Sequence, residues 1–385
     1  LALPAASPAA GTGSEGACDA GETRTASGCT SFAAAQRHVR KIVKRTLEEE
    51  GLRAALVRVD LGDRTLLTAS PGESMNGTPA NMRMHFRIGS IAIPYLIDIV
   101  LQLQEQGRLS LDDPLSKWFP DLPNADRVTL RMLASSSAGY PDWIQENQEF
   151  LDELYSDVFR QWRTQELLNI ALARPLICEP GECFHYAHTN FIILSKVVHA
   201  ITGRSVAGLV RDRVLEPLRL RDTEISGYPE MPGPVLHSYT TDRGPYEDST
   251  FWSPSWTIAE SIIATGTIGD IVKSARAAGT GALISRASSR ERFEPVTAGF
   301  PPFNEDFYYG LGILVSDSWR FQNPNLNGWA AISAYLPSRK MSLGLVVTRH
   351  EDAAANSVAT GTNYSNVLFA NIAEYLTPNH SSIFP

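Results

Sequence analysis

The sequence has no apolar run approaching the ~18–20 residues that a membrane-crossing helix requires, so no such helix is expected. It has no excess of positive charge either: 34 lysines and arginines stand against 42 acidic residues, a formal net charge of −8. Nucleic-acid binding needs a basic surface that displaces counterions, and the charge balance gives no electrostatic reason to expect that class of partner. No internal repeat is found. No metal is expected, because a C-x4-C pair with no second pair nearby is a poor zinc signature. Cysteine itself is scarce, four residues in 385.

What is present is ordinary globular composition, 43% hydrophobic and 20% charged, enough for a large core. The four cysteines fall into two local pairs, Cys18 with Cys29 and Cys178 with Cys183. Between the second pair lies EPGE, where Pro180 and Gly181 suit the centre of a type II turn that brings the sulfurs together. Loop-closure entropy puts each bridge at ~2–3 kcal/mol. Disulfides imply an extracytoplasmic home: secreted, periplasmic or tethered to the envelope. Four free thiols in a cytosolic protein are the alternative. The opening LALPAASPAAGTGSEGA, uncharged until Glu15, reads as a remnant of signal cleavage or a flexible tether.

Residues 1–32 read as a low-complexity lead. A helix is predicted from SFAAAQRHVRKIVKRTLEEEG, with Ser31 as cap and Gly51 as stop. A hairpin turning at Gly62-Asp63 follows, then a helix in FRIGSIAIPYLIDIVLQLQEQG ended by Gly107. Another helix, FIILSKVVHAITG, stops at Gly203, and YYGLGILVSDSW, AAISAYLPS and MSLGLVVTRH carry strand patterns before a last helix, NYSNVLFANIAEYL. The expected fold is α/β (α+β): an antiparallel sheet made from both chain ends, flanked by helices, with an inserted helical lobe. The α/β part is placed at about 33–120 and 255–385 and the lobe at about 121–254 of a single domain, 33–385.

The run FRIGSIAIPYLIDIVLQLQEQGRLSLDDPLSKWFPDLP, with VTLRMLASSSAGYPDW, PLICEPGECFHYAHTNFIILSKVVHAITGRS, YYGLGILV and LNGWAAISAYLPSRKMSLGLVVT in order, resembles the serine β-lactamase and D-alanyl-D-alanine carboxypeptidase family, in its class C and esterase-like branch. The resemblance spans roughly 34–375 and implies a β-lactamase/transpeptidase-like fold, no metal and no organic cofactor. In the family's S-x-x-K, the serine attacks an acyl carbonyl and the lysine one turn on takes its proton. Here Ser90 is kept and Ile93 replaces the lysine. The family's Y-x-N reads Tyr186-Ala187-His188. The K-T-G or H-x-G triplet falls at Gln322, Asn323 and Pro324, followed by Asn327-Gly328-Trp329. Ser135, Ser136 and Ser137 stand where the family's turn carries hydroxyls. Trp143 and Trp329 are candidates to border the cleft, with core or lobe packing the leading reading for each.

Isoleucine neither accepts a proton nor holds a charge, and a positioned base typically supplies ~10²–10⁴-fold. Two readings result. In the leading one the chain is a pseudoenzyme kept for binding or regulation. In the other it is an active esterase or peptidase in which Tyr186 and His188 relay the proton of Ser90. Ser90, Tyr186 and His188 are the candidate catalytic residues, and Ser136, Asn323, Gly328 and Trp329 the candidate substrate contacts. Any ligand is expected to be a peptidoglycan-like peptide, a β-lactam or an ester; a protein partner is a further possibility.

Overall fold

A computed structural model describes residues 18–258, 263–354 and 362–381. Most of the small-residue lead therefore lies outside the described residues. Glu22–Thr25 and Gly28–Ser31 form a short hairpin, and the Cys18–Cys29 disulfide closes it. The first helix, α1 (Phe32–Glu49), starts where Ser31 Oγ accepts the Ala34 N–H and buries Ala35, Val39, Ile42, Val43, Thr46 and Leu47 along one stripe.

The chain then enters the main sheet through β1 (Leu52–Leu61) and β2 (Arg64–Ala69), joined at Gly62-Asp63. Before the nucleophile region comes the two-residue strand β3 (Phe86–Arg87), followed by α2 (Ile93–Glu105). Across the middle of the chain the best-defined helix is α3 (His188–Thr202), which stops at Gly203 in the left-handed region at φ 68°. The short strands β4 (Glu224–Ile225) and β5 (Ala264–Gly266) join β3 in a three-stranded sheet, order β3-β5-β4.

Helix α4 (Ile268–Thr280) precedes the C-terminal strands β6 (Phe307–Tyr309), β7 (Leu314–Ser316), β8 (Trp319–Gln322), β9 (Trp329–Leu336) and β10 (Met341–Arg349), and α5 (Tyr364–Leu376) comes last. The seven-stranded sheet runs β6-β7-β8-β9-β10-β1-β2, antiparallel throughout. The pairing of β10 with β1 joins the two ends of the chain. Every residue of β9 and β10 is buried, because α4 covers one face of these strands and α5 the other.

Two cores result. One lies between the sheet, α1 and α5. The other runs continuously from sheet residues Leu56, Ala331 and Val346 through α2 into α3 and the helical region. The two-sided burial of the central strands explains why their sequence reads as unbroken apolar runs instead of alternating.

Candidate active site

Ser90 lies in a 3-10 turn, Gly89–Ala92, that feeds directly into α2. The helix proper begins at Ile93, three residues later than the serine. Pro94, in the first helical turn, has no N–H to offer, while the Ile93 N–H donates to the Ser90 carbonyl. Gly89 sits at φ 51°, and a Cβ there would stand 2.6 Å from Pro324 Cβ. Only glycine meets both the backbone angle and the close approach. The serine hydroxyl is thereby presented from a fixed turn, and Ser90 is partly exposed.

Ile93 is fully buried, as are Leu96, Ile97 and Val100 on the same helix. A Cβ added at Gly312 would lie 2.4 Å from Ile97 Cγ1 and 3.0 Å from Ile93 Cγ2. Ile93 thus packs against the connection between β6 and β7. Nothing at this position can hold or move a proton.

Tyr186 is half-buried and shares a hydrogen bond with Ser90. Its ring is edge-on to His188 at 5.4 Å and to Tyr309 at 6.2 Å. Burial holds the Tyr186 phenol well above its ordinary range, Tyr309 and Asp142 push the same way, and the bond with Ser90 opposes them. Tyr186 is therefore a neutral phenol at physiological pH, able to pass a proton on but not to act as a resident anion.

His188 opens α3, and both its backbone N–H and its Nδ1 meet Asp142 Oδ2, at 2.5 and 2.8 Å. The other carboxylate oxygen accepts the N–H groups of Ile144 and Gln145, at 2.7 and 3.2 Å. Asp142 is wholly buried. Burial alone would raise its pKa, but the imidazole and the N–H groups of His188 and Ile144 outweigh that and bring it below the ordinary value. An ionised carboxylate only accepts, so Nδ1 carries the proton and the Nε2 lone pair is left for another partner.

The loop bearing Asp142 is itself clamped. Arg174 donates to the carbonyls of Asp142, Gln145 and Glu146, and Thr189 Oγ1 to that of Pro141. Nothing in local spacing ties Asp142 to His188, 46 residues on. The one available signal is the Asp of YPDW, a residue type that readily accepts the N–H groups just after it.

The serine-rich turn and the Cys178–Cys183 loop are zipped together by bonds from Ile177 N–H to the Gly139 carbonyl, Gly181 N–H to Ser137 and His185 N–H to Ser136, each 2.9 Å. Glu182 N–H closes the turn on the Glu179 carbonyl, with Gly181 at φ 84°, as the EPGE reading expects. Ser136 sits in the left-handed region at φ 55°, buried, and its Oγ has no partner among the described residues.

The remaining candidates are engaged inside the protein. The Asn323 side-chain amide donates to Asn366 Oδ1, and the Asn323 backbone carbonyl accepts from the Asn363 side-chain amide. Gly328 lies against the Tyr239 backbone and the Ser238 Cβ, where an added Cβ would come within 2.8 Å of both. The Trp329 indole donates to the Leu236 carbonyl and that of Trp143 to Trp256. Both rings are buried and each indole N–H has a backbone acceptor in the interior, in line with packing. A cavity of about 730 Å³ lies elsewhere, lined by Arg211, Arg219 and Glu224 among others.

The family profile described as Beta-lactamase matches residues 39–362. A penicillin-binding protein of Bacillus subtilis strain 168 is 23% identical over 62% of this chain and 54% of its own length. The esterase EstB of Burkholderia gladioli is 30% identical over 40% of this chain and 42% of its own. The chain thus spans about half the length of these relatives. Among solved structures, the D-amino acid amidase from Ochrobactrum anthropi SV3 superposes with a TM-score of 0.75 at 19% identity, over 88% of this chain and 98% of that one. The likeness to that structure is one of fold.

Proposed function

The chain belongs to the beta-lactamase family, and on that premise we propose that it is an exported acyl hydrolase in which an imidazole does the work of the missing lysine. The observation that carries this reading is the Asp142–His188 pair at 2.8 Å, one ring away from the tyrosine that hydrogen-bonds Ser90. As Ser90 Oγ bonds to the carbonyl carbon of a small ester or amide, its proton passes to the Tyr186 oxygen and the Tyr186 proton to His188 Nε2. The imidazolium returns a proton to the leaving alcohol or amine as the acyl–heteroatom bond breaks. Water then cleaves the acyl-serine by the same path in reverse. The two disulfides support export.

Ile93 favours a second reading, a pseudoenzyme that binds such a ligand for a regulatory purpose without turning it over, because the lysine position is sealed into the aliphatic core. Intact-mass measurement after incubation with a fluorophosphonate, a penicillin and an activated ester decides between them. A stoichiometric adduct that is lost in Ser90→Ala, and forms ~10²–10⁴-fold more slowly in His188→Ala, is expected. A folded protein that forms no adduct with any of the three would be the pseudoenzyme.

A further inference from the structure

We propose that Asp142 is the positioning residue of this site: it fixes the tautomer and the ring orientation of His188, so that Nε2 is presented as the proton acceptor for the Tyr186–Ser90 pair. The inference rests on the acyl-hydrolase reading above. Nothing in the residue types demands this pairing. A residue at the first position of a helix needs only its N–H satisfied, and Asp142 does that with the same oxygen that holds the imidazole. With backbone and side chain of one histidine on a single buried oxygen, the ring has little freedom left to rotate. The loop holding Asp142 has correspondingly little freedom to move, since Arg174 ties three of its carbonyls.

The charged and titratable groups around the pair are few. The Tyr186 and Tyr309 phenols lie on one side, both held neutral by burial. His185, Glu146 and Arg174 lie round the carboxylate. Burial keeps His185 below its ordinary value and therefore uncharged at neutral pH, though Asp142 and Glu146 pull the other way. Arg174 is occupied by carbonyls.

The test pairs Asp142→Asn with the wild type. The amide is isosteric, but an NH₂ facing the ring needs an acceptor at Nδ1 and so drives the proton to Nε2, the wrong tautomer for accepting one. The fluorophosphonate adduct at Ser90 is followed by intact mass. In Asp142→Asn it should form about 10²–10⁴-fold more slowly. Because Asp142 also accepts backbone N–H groups, the variant could fail to fold, and ¹⁵N chemical shifts of His188 in the wild type supply an independent readout. A protonated Nδ1 with an unprotonated Nε2 is expected. An Asp142→Asn rate within threefold of wild type would overturn the positioning role while leaving the hydrolase reading intact, whereas the opposite tautomer would overturn both the positioning role and the imidazole relay. Absence of any adduct in the wild type would instead remove the hydrolase reading, and this inference with it.

Discussion

At the scale of single residues, the site is defined by one hydrocarbon side chain where a charge is expected. Ile93 is not merely tolerated: its branch contacts the glycine between β6 and β7, and the same aliphatic patch continues into Ile97. Truncating it should leave a cavity that the close-packed helix cannot collapse into. Ile93→Ala is expected to cost about 2–5 kcal/mol in urea unfolding, while the rate of Ser90 labelling stays within a few fold. A labelling rate that fell with the methyl groups would mean that Ile93 shapes the site directly. Ser90, Tyr186 and His188 are each legible in the sequence because their motifs are local, four residues or fewer across. Asp142 is not, because its partner is brought to it only when the start of α3 packs beside the YPDW loop. The two tryptophans escape a cleft assignment for a related reason. An indole that finds a backbone acceptor in the interior is as stable buried as at a cleft, and the sequence does not name the acceptor.

At the scale of elements, the two disulfides close loops of different size, 11 and 5 residues in sequence separation, with different consequences. Cys178–Cys183 brackets the turn that zips onto the serine-rich segment, and Tyr186 lies three residues beyond it. Cys18–Cys29 closes the N-terminal hairpin, which rests against α1 and α5. Loop-closure entropy assigns roughly 2 kcal/mol to the shorter loop and roughly 3 kcal/mol to the longer. Replacing Cys178 and Cys183 together by serine should therefore lower stability slightly less than replacing Cys18 and Cys29, yet be the pair that slows Ser90 labelling. Thermal melts and adduct rates on the two double variants check this, and equal labelling in both would disconnect the bridge from the site. The long elements are readable because their ends carry chemistry: Ser31 caps α1, and Gly203 ends α3. The strands β3, β4 and β5 are not, since two or three residues carry no periodicity and exist only through their partners.

At the scale of the whole molecule, a chain that reads as sheet, helical insert and sheet invites the idea of two independent bodies. The packing argues otherwise. The sheet cannot form from either end alone, because β10 pairs with β1 along nearly its whole length. The core beneath it passes without interruption from Leu56 and Val346 through α2 to Phe191, Leu194 and Val198 of α3. The buried ion pair between Asp98 of α2 and Arg292, at 2.6 Å, adds a polar tie between the nucleophile helix and the segment that precedes the C-terminal strands. Separating the helical region from the sheet would expose this shared interior and strand two charges in it. Removing one partner of a buried pair already costs about 3–5 kcal/mol. Unfolding is therefore expected to be a single cooperative transition. The seven tryptophans report on both regions, Trp143 and Trp162 in the helical part, Trp319 and Trp329 in the sheet. Urea curves from tryptophan fluorescence and from far-ultraviolet circular dichroism should then superimpose. Replacing Trp319 and Trp329 with phenylalanine, which restricts the fluorescence largely to the helical side, should leave the two probes coincident at a lower midpoint. Two separated midpoints would mean that the helical region melts on its own. The site, which takes Ser90 from the turn that leads into α2 and its proton path from the start of α3, would then be lost before the sheet.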